Sequence, residues 1–184
     1  MGVWLAFLRG INLGKRRLKM DDLRALFEKM KFVDVSTFIA SGNVIFGSGL
    51  QDVRKVESLI ERELARALGY EVDTFVRTRA EVAALAAAQP FSSADMSAAT
   101  NTVNVGFFKT RLDADLARKL EAIRTDVDEF SVPGREYFWL CRIKMSDSKV
   151  WTLPQVRALK FPTSSMRNLK TLRHLAEQFP PSIS

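Results

Sequence analysis

The feature that most constrains the fold of this chain is an internal repeat. The segment DVSTFIASGNVIF at residues 34–46 aligns with DVDEFSVPGREYF at residues 126–138 at a constant offset of 92 residues. Five of the thirteen positions are identical, at Asp34, Val35, Phe38, Gly42 and Phe46 of the first copy. The strand ends AFLR at residues 6–9 and GFFK at residues 106–109 also correspond. A repeated sequence predicts a repeated supersecondary unit, so we expect two related subdomains.

The predicted elements follow the same order in both copies. In the first copy, apolar runs and amphipathic stretches give the order β-α-β-β-α-β, with Ser41-Gly42 in the turn of the central hairpin. The second copy repeats the strand, the helix and the hairpin, whose turn is Pro133-Gly134. This order is that of a ferredoxin-like unit. The predicted fold class is therefore α+β, a two-layer tandem duplication of the ferredoxin-like βαββαβ unit.

The limits of the two subdomains follow from where the repeat begins again. We predict a first ferredoxin-like subdomain at residues 1–79 and a second at residues 102–184. Between them, residues 80–101 are expected to form an alanine-rich helix and a small, polar connector. The second subdomain is expected to close with a C-terminal helix over residues 167–179, which Pro180-Pro181 stops.

The composition is that of an ordinary globular protein and excludes several classes. Hydrophobic residues make up 47% and charged residues 27% of the 184 residues. No apolar run approaches the roughly 20 residues that cross a bilayer, and the first residues lack the features of a signal peptide. A single cysteine, Cys141, excludes an intrachain disulfide and a cysteine metal cluster. We therefore expect a cytoplasmic protein with no membrane segment and no cofactor.

The net charge of +7 is concentrated at the two ends of the sequence. Residues 1–50 carry eight Lys or Arg against four Asp or Glu, and residues 131–184 carry nine against three. The middle, residues 51–130, carries eleven against fourteen and is mildly acidic. A basic surface attracts nucleic acids and phosphorylated small molecules, although many basic proteins simply have a solvated cationic surface. Composition alone leaves both interpretations open.

The two copies differ most in the loop between the first strand and the first helix. The first copy has GINLGKRRLK at residues 10–19, where the second has only TRL at residues 110–112. Because both copies are expected to fold, the longer loop is not needed for the unit. Loops of this kind carry binding and catalytic residues more often than the elements they connect, so the insertion points to function.

This cationic loop does not have the spacing of the phosphate loop in nucleotide triphosphatases. Only three residues separate Gly10 from Gly14, and Arg16 stands where a Ser or Thr would hold magnesium. A looser anion site is still compatible with the sequence, because the glycines expose backbone N–H groups and Arg9, Lys15 and Arg16 supply charge. In the alternative, the glycines only shape a turn and Arg9 forms a salt bridge with Asp21 or Asp22.

Three blocks of the sequence form a recognisable pattern. The first is Leu8-Arg9-Gly10-Ile11-Asn12 with Gly14, and the second is Ser41-Gly42-Asn43-Val44 with Phe46. A third, near the end of the chain, is Arg167-Asn168 with Thr171. Together the blocks resemble a family of uncharacterised, mostly bacterial proteins, domain of unknown function number 1697, over nearly the whole chain. The resemblance implies a duplicated ferredoxin-like fold, and it implies no established reaction.

The chain departs from the pattern of this family at four places. Lys15 stands where the family often has a second glycine, and Ala40 stands where a glutamine is common. Ser165-Met166 replaces a usual threonine pair, and Leu169 replaces a usual tryptophan. The last two departures weaken the case for a hydroxyl-lined site near the third block.

The candidate ligand-binding residues lie in the three blocks and the cationic loop. We predict that a phosphate-bearing ligand contacts Arg9, Gly10, Asn12, Gly14, Lys15, Ser41, Asn43, Arg167, Asn168 and Thr171. Arg167 and Asn168 are placed at the start of the last helix, where backbone N–H groups attract phosphate. The alternatives are structural, with Ser41-Gly42-Asn43 as a hairpin turn and the serines before Arg167 as helix caps.

The strands are predicted to be apolar on both faces, as in VWLAFLR at residues 3–9 and EYFWLCRI at residues 136–143. A ferredoxin-like unit covers one face of its sheet with helices, so the other face could stack bases as RNA-recognition modules do. The alternative is that this face packs against a second sheet or a second copy of the chain. We favour packing, because no stretch has the basic-aromatic signature of those modules.

The sequence does not identify residues that would carry catalysis. His174 is the only histidine, and it lies on an amphipathic stretch beside Arg173, which is typical of a surface position. There is no G-x-S-x-G nucleophile motif and no His, Asp and Glu set with metal-ligand spacing. The catalytic residues are therefore unknown, whether the protein is an enzyme is left open, and no metal site is predicted.

Three functions are compatible with these features. The first is a non-catalytic protein that binds a phosphate-bearing ligand, a nucleotide or nucleic acid, in a basic groove between the two subdomains. The second is an enzyme that acts on a small phosphorylated metabolite positioned by the same cations. The third is an interaction module that pairs through its sheets, as in a homodimer. We take the first as the leading hypothesis.

Overall fold

A computed structural model describes residues 2–12, 17–39 and 42–181 of the chain. Three residues of the predicted site lie outside the described residues: Gly14, Lys15 and Ser41. The chain divides into two compact units, one made of the residues up to Ala84 with those from Leu175 onward, the other of Leu85–His174. The subdomain limits taken from the repeat stay a prediction.

The first unit has the β-α-β-β-α-β order that the repeat predicts, followed by a third helix. Its elements are β1 (Gly2–Leu8), α1 (Met20–Lys29), β2 (Val33–Phe38), β3 (Asn43–Ser48), α2 (Val53–Leu68), β4 (Thr74–Thr78) and the part of α3 (Arg79–Ala87) that ends at Ala84. The four strands form one antiparallel sheet in the order β2-β3-β1-β4. The central strand β1 therefore has its C-terminal end between β3 and β4.

Local sequence signals set the limits of α2. The Asp52 carboxylate accepts hydrogen bonds from the backbone N–H groups of Arg54 (2.9 Å) and Lys55 (3.3 Å), and so caps the helix N-terminus. Gly69 follows the last helical residue, where the sequence predicts the end. The helix buries one apolar stripe, which consists of Val56, Ile60 and Leu64.

The core of the first unit lies between the helices α1 and α2 and one face of the sheet. The strand residues at this face are buried and apolar: Trp4, Ala6, Leu8, Val44, Phe46 and Val76. Each large apolar side chain that is fully buried contributes about 1.5–3 kcal/mol to folding. Leu5 and Phe7, on the other face of β1, are buried as well. That face is therefore not an open platform on which bases could stack.

The second unit repeats the sheet topology of the first. Its elements are α4 (Ser93–Ser97), β5 (Thr102–Phe107), α5 (Ala114–Glu121), β6 (Asp128–Ser131), β7 (Glu136–Cys141), a 3₁₀ helix (Val150–Thr152), α6 (Pro154–Arg157), β8 (Ser165–Asn168) and the part of α7 (Leu169–Gln178) that ends at His174. The strand order is β6-β7-β5-β8, again antiparallel. Two such sheets and seven α-helices among the described residues confirm the α+β class. The shared strand order supports the ferredoxin-like duplication.

The last helix starts later than the sequence predicts. Arg167 and Asn168 belong to strand β8, where they lie opposite Val105 and Asn104 of β5. The helix begins after them because the Asn168 side chain accepts a hydrogen bond of 2.8 Å from the N–H of Lys170 and caps the helix. The prediction that Arg167 lies in the first turn of this helix is therefore wrong.

The connector between the repeats contains the short helix α4, which the sequence did not predict. The Ser92 hydroxyl accepts the N–H of Asp95 at its start. The Asp95 carboxylate accepts two hydrogen bonds, 2.8 and 2.9 Å long, from the guanidinium of Arg142. Bonds from Arg142 and Ser92 hold the pKa of Asp95 below its ordinary value. A bidentate pair of this kind fixes the connector within the second unit.

The strand registers change which residue of the second copy is equivalent to Phe46. Alignment of AFLR with GFFK makes Trp4 equivalent to Asn104. Trp4 lies opposite Phe46 in the β1–β3 pair, and Asn104 lies opposite Trp139 in the β5–β7 pair. Phe46 therefore corresponds to Trp139 rather than Phe138, and both lie in cores. Because strand side chains alternate between faces, the constant offset of 92 residues assigns the wrong residue to the core.

Strand β4 lies at the edge of its sheet, and glutamate side chains cover its free N–H groups. Three carboxylates each accept one backbone hydrogen bond: Glu61 from Thr74 (2.8 Å), Glu57 from Val76 (2.9 Å) and Glu81 from Thr78 (2.8 Å). An uncovered edge is a template for pairing with another chain. These bonds block the β4 edge, and pairing of the protein through its sheets stays a prediction.

Candidate functional site

The end of β1 brings the first two sequence blocks together. Leu8 lies opposite Thr74 of β4, and the Leu8 N–H donates to the Gly42 carbonyl at 2.8 Å. The Arg9 N–H donates to the Asp73 carbonyl, also at 2.8 Å. The loop after β1 and the turn between β2 and β3 therefore lie side by side. We define the rim site by its described residues: Arg9, Gly10, Asn12, Arg17, Lys19 and Gly42.

Gly42 permits the close approach of these two loops because it has no side chain. Its φ is +73°, and an added Cβ atom would lie 3.1 Å from Leu8 Cβ and 3.3 Å from Ile11 Cβ. These distances are shorter than ordinary van der Waals contacts between carbon atoms. The glycine of the second block therefore serves the packing of the two loops.

We expect Gly42→Ala to lower the free energy of unfolding by about 2 kcal/mol, because the left-handed backbone and the contacts with Leu8 and Ile11 both oppose a methyl group. Gly69→Ala is the matched control, since Gly69 has φ +75° and nothing within 4 Å of the added Cβ. This control variant should lose only the free energy that an alanine in the left-handed backbone conformation costs, about 1 kcal/mol. Urea unfolding measures both variants, and equal losses would contradict the packing of the loops.

Four of the nine described residues with positive φ lie in these two loops. Gly10 (φ +81°) and Asn12 (φ +58°) lie in the loop after β1, and Ile39 (φ +50°) and Gly42 lie in the β2–β3 turn. Asparagine adopts this conformation readily, whereas a β-branched isoleucine does so at a cost of about 1–3 kcal/mol. Strained residues cluster at ligand-binding and active sites, which makes this rim the candidate functional site.

The side chain of Asn12 closes the base of the cationic loop. Its Nδ2 donates to the Leu18 carbonyl at 3.1 Å, and its Oδ1 accepts the Leu18 N–H at 2.6 Å. The two ends of the loop are thus joined shortly before α1 begins. Arg17 and Lys19 flank Leu18 and are exposed. Together with Asn12 and Leu18, they line an open depression of about 440 Å³.

Arg9 has a different partner from the one that the sequence suggested. Its Nη1 lies 3.3 Å from the Asp73 Oδ2, and the side chains of Arg9 and Asp73 are 55% and 40% exposed. Asp21, one of the two expected partners, pairs instead with Arg24 in the first turn of α1. The proposed salt bridge of Arg9 with Asp21 or Asp22 is therefore wrong. An exposed ion pair contributes only about 0–1 kcal/mol, so Arg9 exchanges partners easily.

Asn43, another predicted site residue, stabilises the β2–β3 hairpin. It is buried, and its Nδ2 donates to the Phe38 carbonyl at 3.0 Å across the base of the β2–β3 turn. It also lies opposite Phe7 of β1. These contacts support the interpretation of the second block as a structural turn.

The residues of the third block belong to the second unit. The Arg167 Nη1 donates to the Ser165 Oγ and to the Met166 carbonyl, both at 2.8 Å. Desolvation of the guanidinium lowers the pKa of Arg167 to about 10. Asn168 lines a pocket of about 110 Å³ with polar and cationic neighbours that include Asn101 and Lys170. Thr171 lies in α7 and is half-buried.

Sequence reasoning missed a second arginine in a position equivalent to Arg167. Arg77 of β4 lies opposite Leu5, as Arg167 of β8 lies opposite Val105. It is fully buried, and its Nη1 donates to the carbonyl of the preceding residue at 2.8 Å, as the Arg167 Nη1 does. A signal was present, because in both copies an arginine stands two residues before a helix that follows a strand.

The described residues do not form a recognisable catalytic or metal site. His174 is exposed on α7, and Cys141 is buried in the second unit, where burial raises the pKa of its thiol. Within residues 2–12, 17–39 and 42–181, no three His, Cys, Asp or Glu side chains are grouped so that they could hold a metal ion. Among the helices of this same part of the chain, none is long and apolar enough to cross a membrane.

The fold and the rim define a two-unit α+β protein with a cationic loop at the end of a central strand. The chain belongs to the family described as "Protein of unknown function (DUF1697)", whose model matches residues 1–138. The membership expected from the three sequence blocks is thereby confirmed. The third block, Arg167-Asn168 with Thr171, lies beyond the matched residues. No curated protein matches the chain.

A conserved bacterial protein, SP0830 from Streptococcus pneumoniae, has a similar structure. The two structures superpose with a TM-score of 0.74, and the match covers 98% of this chain and 99% of that protein. The sequences share 19% identity. At that level of identity, the similarity shows the fold and carries no statement about function.

Proposed function

We propose that this chain is a non-catalytic binding protein that holds a phosphate-bearing ligand, a nucleotide or a nucleic acid, at the rim site. The observation that supports this most directly is the pair of hydrogen bonds between Asn12 and Leu18, which closes the cationic loop. A closed loop presents Arg17 and Lys19 in a restricted geometry, so less conformational entropy is lost when a phosphate binds.

The charges of the rim favour an anion. Between Arg9 and Lys19 the sequence places five cations and no carboxylate. Phosphate oxygens accept strong, charge-assisted hydrogen bonds from such groups. A phosphate that binds Arg9 must displace the carboxylate of Asp73. Because this ion pair is exposed to solvent, its displacement costs little free energy. Placement of the ligand in a groove between the two subdomains stays a prediction.

The double variant Arg17→Ala/Lys19→Ala is expected to weaken binding of a labelled single-stranded oligonucleotide about tenfold or more. The reason is that each lost cation removes a solvent-exposed ionic contact with phosphate, worth up to about 1 kcal/mol. Fluorescence anisotropy at low and high salt measures the affinity. Wild-type affinity should fall steeply with salt, because phosphate contacts release counterions.

The matched control is Arg54→Ala/Lys55→Ala, which removes two exposed cations from the start of α2 in the same unit. An equal loss in both double variants would show a diffuse cationic field and contradict a site at the rim. A third variant, Lys170→Ala, tests the pocket beside Asn168. If only this variant loses affinity for the oligonucleotide, the binding site is that pocket and not the rim. Competition by a mononucleotide would indicate a compact phosphate site. Absence of binding by wild type would contradict the proposal outright.

A further inference from the structure

The helices α1 and α2 of the first unit have an apolar groove between them. Its volume is about 460 Å³, and four apolar side chains line it: Leu26, Met30, Leu59 and Ala67. Leu26, Met30 and Leu59 contact the buried core but are only half-buried themselves, and Ala67 is exposed. Accessible apolar surface of this kind, bordered by charged residues, is typical of sites at which other molecules bind.

The charged side chains that border the groove have a surplus of positive charge. They are Lys29, Glu63 and Arg66. Glu63 pairs with Arg62 at 3.0 Å and with Arg66 at 3.5 Å, so two arginines share one carboxylate. Arg66 keeps 75% of its side chain exposed. Lys29 is also exposed, and it forms no ion pair with a carboxylate in the part of the chain that the structure describes.

The other two glutamates of α2 are directed away from the groove. Glu57 and Glu61 accept the backbone N–H groups of Val76 and Thr74 at the edge of β4. The surplus of positive charge beside the apolar surface is therefore not offset by these carboxylates. A ligand that complements the groove combines apolar surface with negative charge.

We propose that this groove is a docking site for an acidic, amphipathic helix of a partner protein. The apolar face of that helix packs against Leu26, Met30 and Leu59, and its carboxylates pair with Lys29 and Arg66. Apolar burial supplies the affinity, while the two cations select an acidic partner and fix its orientation. This site is separate from the rim site and does not depend on ligand binding there.

The length of the groove fits a helix. Leu59 and Ala67 are eight residues apart on α2, so the groove follows the axis of this helix for about 12 Å. Apolar residues at positions i, i+4 and i+7 of a bound helix span about 10 Å. Two turns of a partner helix can therefore place three apolar side chains along the groove.

The probe is a fluorescein-labelled peptide of about 15 residues, long enough to form a helix on binding, with leucine at i, i+4 and i+7 and glutamate beside each leucine. Two matched peptides replace the glutamates with lysine or the leucines with glutamine. In fluorescence anisotropy, wild type should bind the glutamate peptide about fivefold more tightly than the lysine peptide, because ion pairs replace contacts between like charges. The glutamine peptide should not bind measurably, since it lacks the apolar surface that the groove buries.

Lys29→Glu/Arg66→Glu should reverse this preference, so that the variant binds the lysine peptide more tightly than the glutamate peptide. Its matched control is Arg54→Glu/Lys55→Glu, which changes two exposed cations of the same unit that do not line the groove. The control should keep the preference of wild type. Tm of both double variants should stay within about 3 °C of wild type, because the changed residues are exposed.

Ala67→Gln tests the apolar surface of the groove itself. It should weaken binding of the glutamate peptide about fivefold, because the added amide is buried against apolar side chains when the peptide docks. Ser58→Gln places the same side chain at an exposed position of α2 outside the groove and should bind the peptide as wild type does.

Equal affinities of wild type for the glutamate and lysine peptides, or no binding of either, would overturn the inference. A reversed preference of Arg54→Glu/Lys55→Glu would also overturn it, since this result would show a diffuse cationic field. Displacement of the peptide by an oligonucleotide would assign the groove to a nucleic acid instead of a helix. A dimer that sedimentation equilibrium detects and that Ala67→Gln dissociates would assign the groove to a second copy of the chain, and would equally overturn the inference.

Discussion

Gly106→Ala is expected to destabilise the second unit by about 3 kcal/mol, the upper range for overpacking of a core. Gly106 lies opposite Tyr137 in the β5–β7 pair, and an added Cβ atom would overlap the tyrosine Cε1 and Cζ atoms. The ring cannot move aside, since it packs against Phe108 and Trp151 at centroid distances of 5.3 and 5.8 Å. Urea and thermal unfolding of the purified variant measure the loss.

Two further variants separate this overlap from a general cost of replacing glycine. Gly49→Ala should change the free energy of unfolding by less than about 0.5 kcal/mol, because nothing lies within 4 Å of the added Cβ. In the first unit, the pair equivalent to Gly106 and Tyr137 is Ala6 opposite Val44. Tyr137→Val should therefore be less destabilising in the presence of Gly106→Ala than alone. Independent, additive effects would refute the proposed contact.

Glu57→Ala is expected to cost roughly 3 kcal/mol of stability in the first unit. Glu57 is buried on α2, and its carboxylate accepts a hydrogen bond of 2.9 Å from the N–H of Val76. Truncation leaves this buried donor without the acceptor and opens a cavity beneath the edge of β4. Chemical denaturation measures the loss, and amide hydrogen exchange should show faster exchange of the Val76 N–H.

Glu57→Gln separates the hydrogen bond from the charge. The glutamine retains a carbonyl oxygen for Val76, so this variant should lose less stability than Glu57→Ala. Glu28→Ala removes an exposed glutamate from α1 and should stay within about 0.5 kcal/mol of wild type. If Glu57→Ala were no worse than Glu28→Ala, the covering of the β4 edge by glutamates would not contribute to stability.

The elements that follow local rules were predictable from the sequence. Asp52 and Gly69 mark the ends of α2, and the apolar stripe between them fixes the face that is buried. The L-R-G-I-N, S-G-N-V and R-N-x-x-T blocks predicted the family, and the first two of them lie in the two loops that form the rim. Each of these signals comes from residues only a few positions apart, so it can be recognised in the sequence without knowledge of the fold.

The errors arose where a distant partner decides the outcome. Arg167 and Asn168 have a sequence compatible with a helix start, but pairing with β5, more than sixty residues earlier, makes them a strand. The partner of Arg9 is Asp73, which the sequence places 64 residues away rather than in the next helix. Choices among such partners depend on packing and register, which local propensity does not contain.

The amino-acid order thus establishes the α+β class, the repeated unit, the family and a cationic loop that the unit does not need. The folded chain adds the close approach of Gly42 to Leu8 and Ile11, the closure of the loop by Asn12, and the partner of Arg9, which is Asp73. This difference between what the sequence determines and what the tertiary structure determines has a physical cause. Periodicity, capping and turn chemistry act over a few residues, whereas a binding site forms where strand register brings separate loops to one end of a sheet.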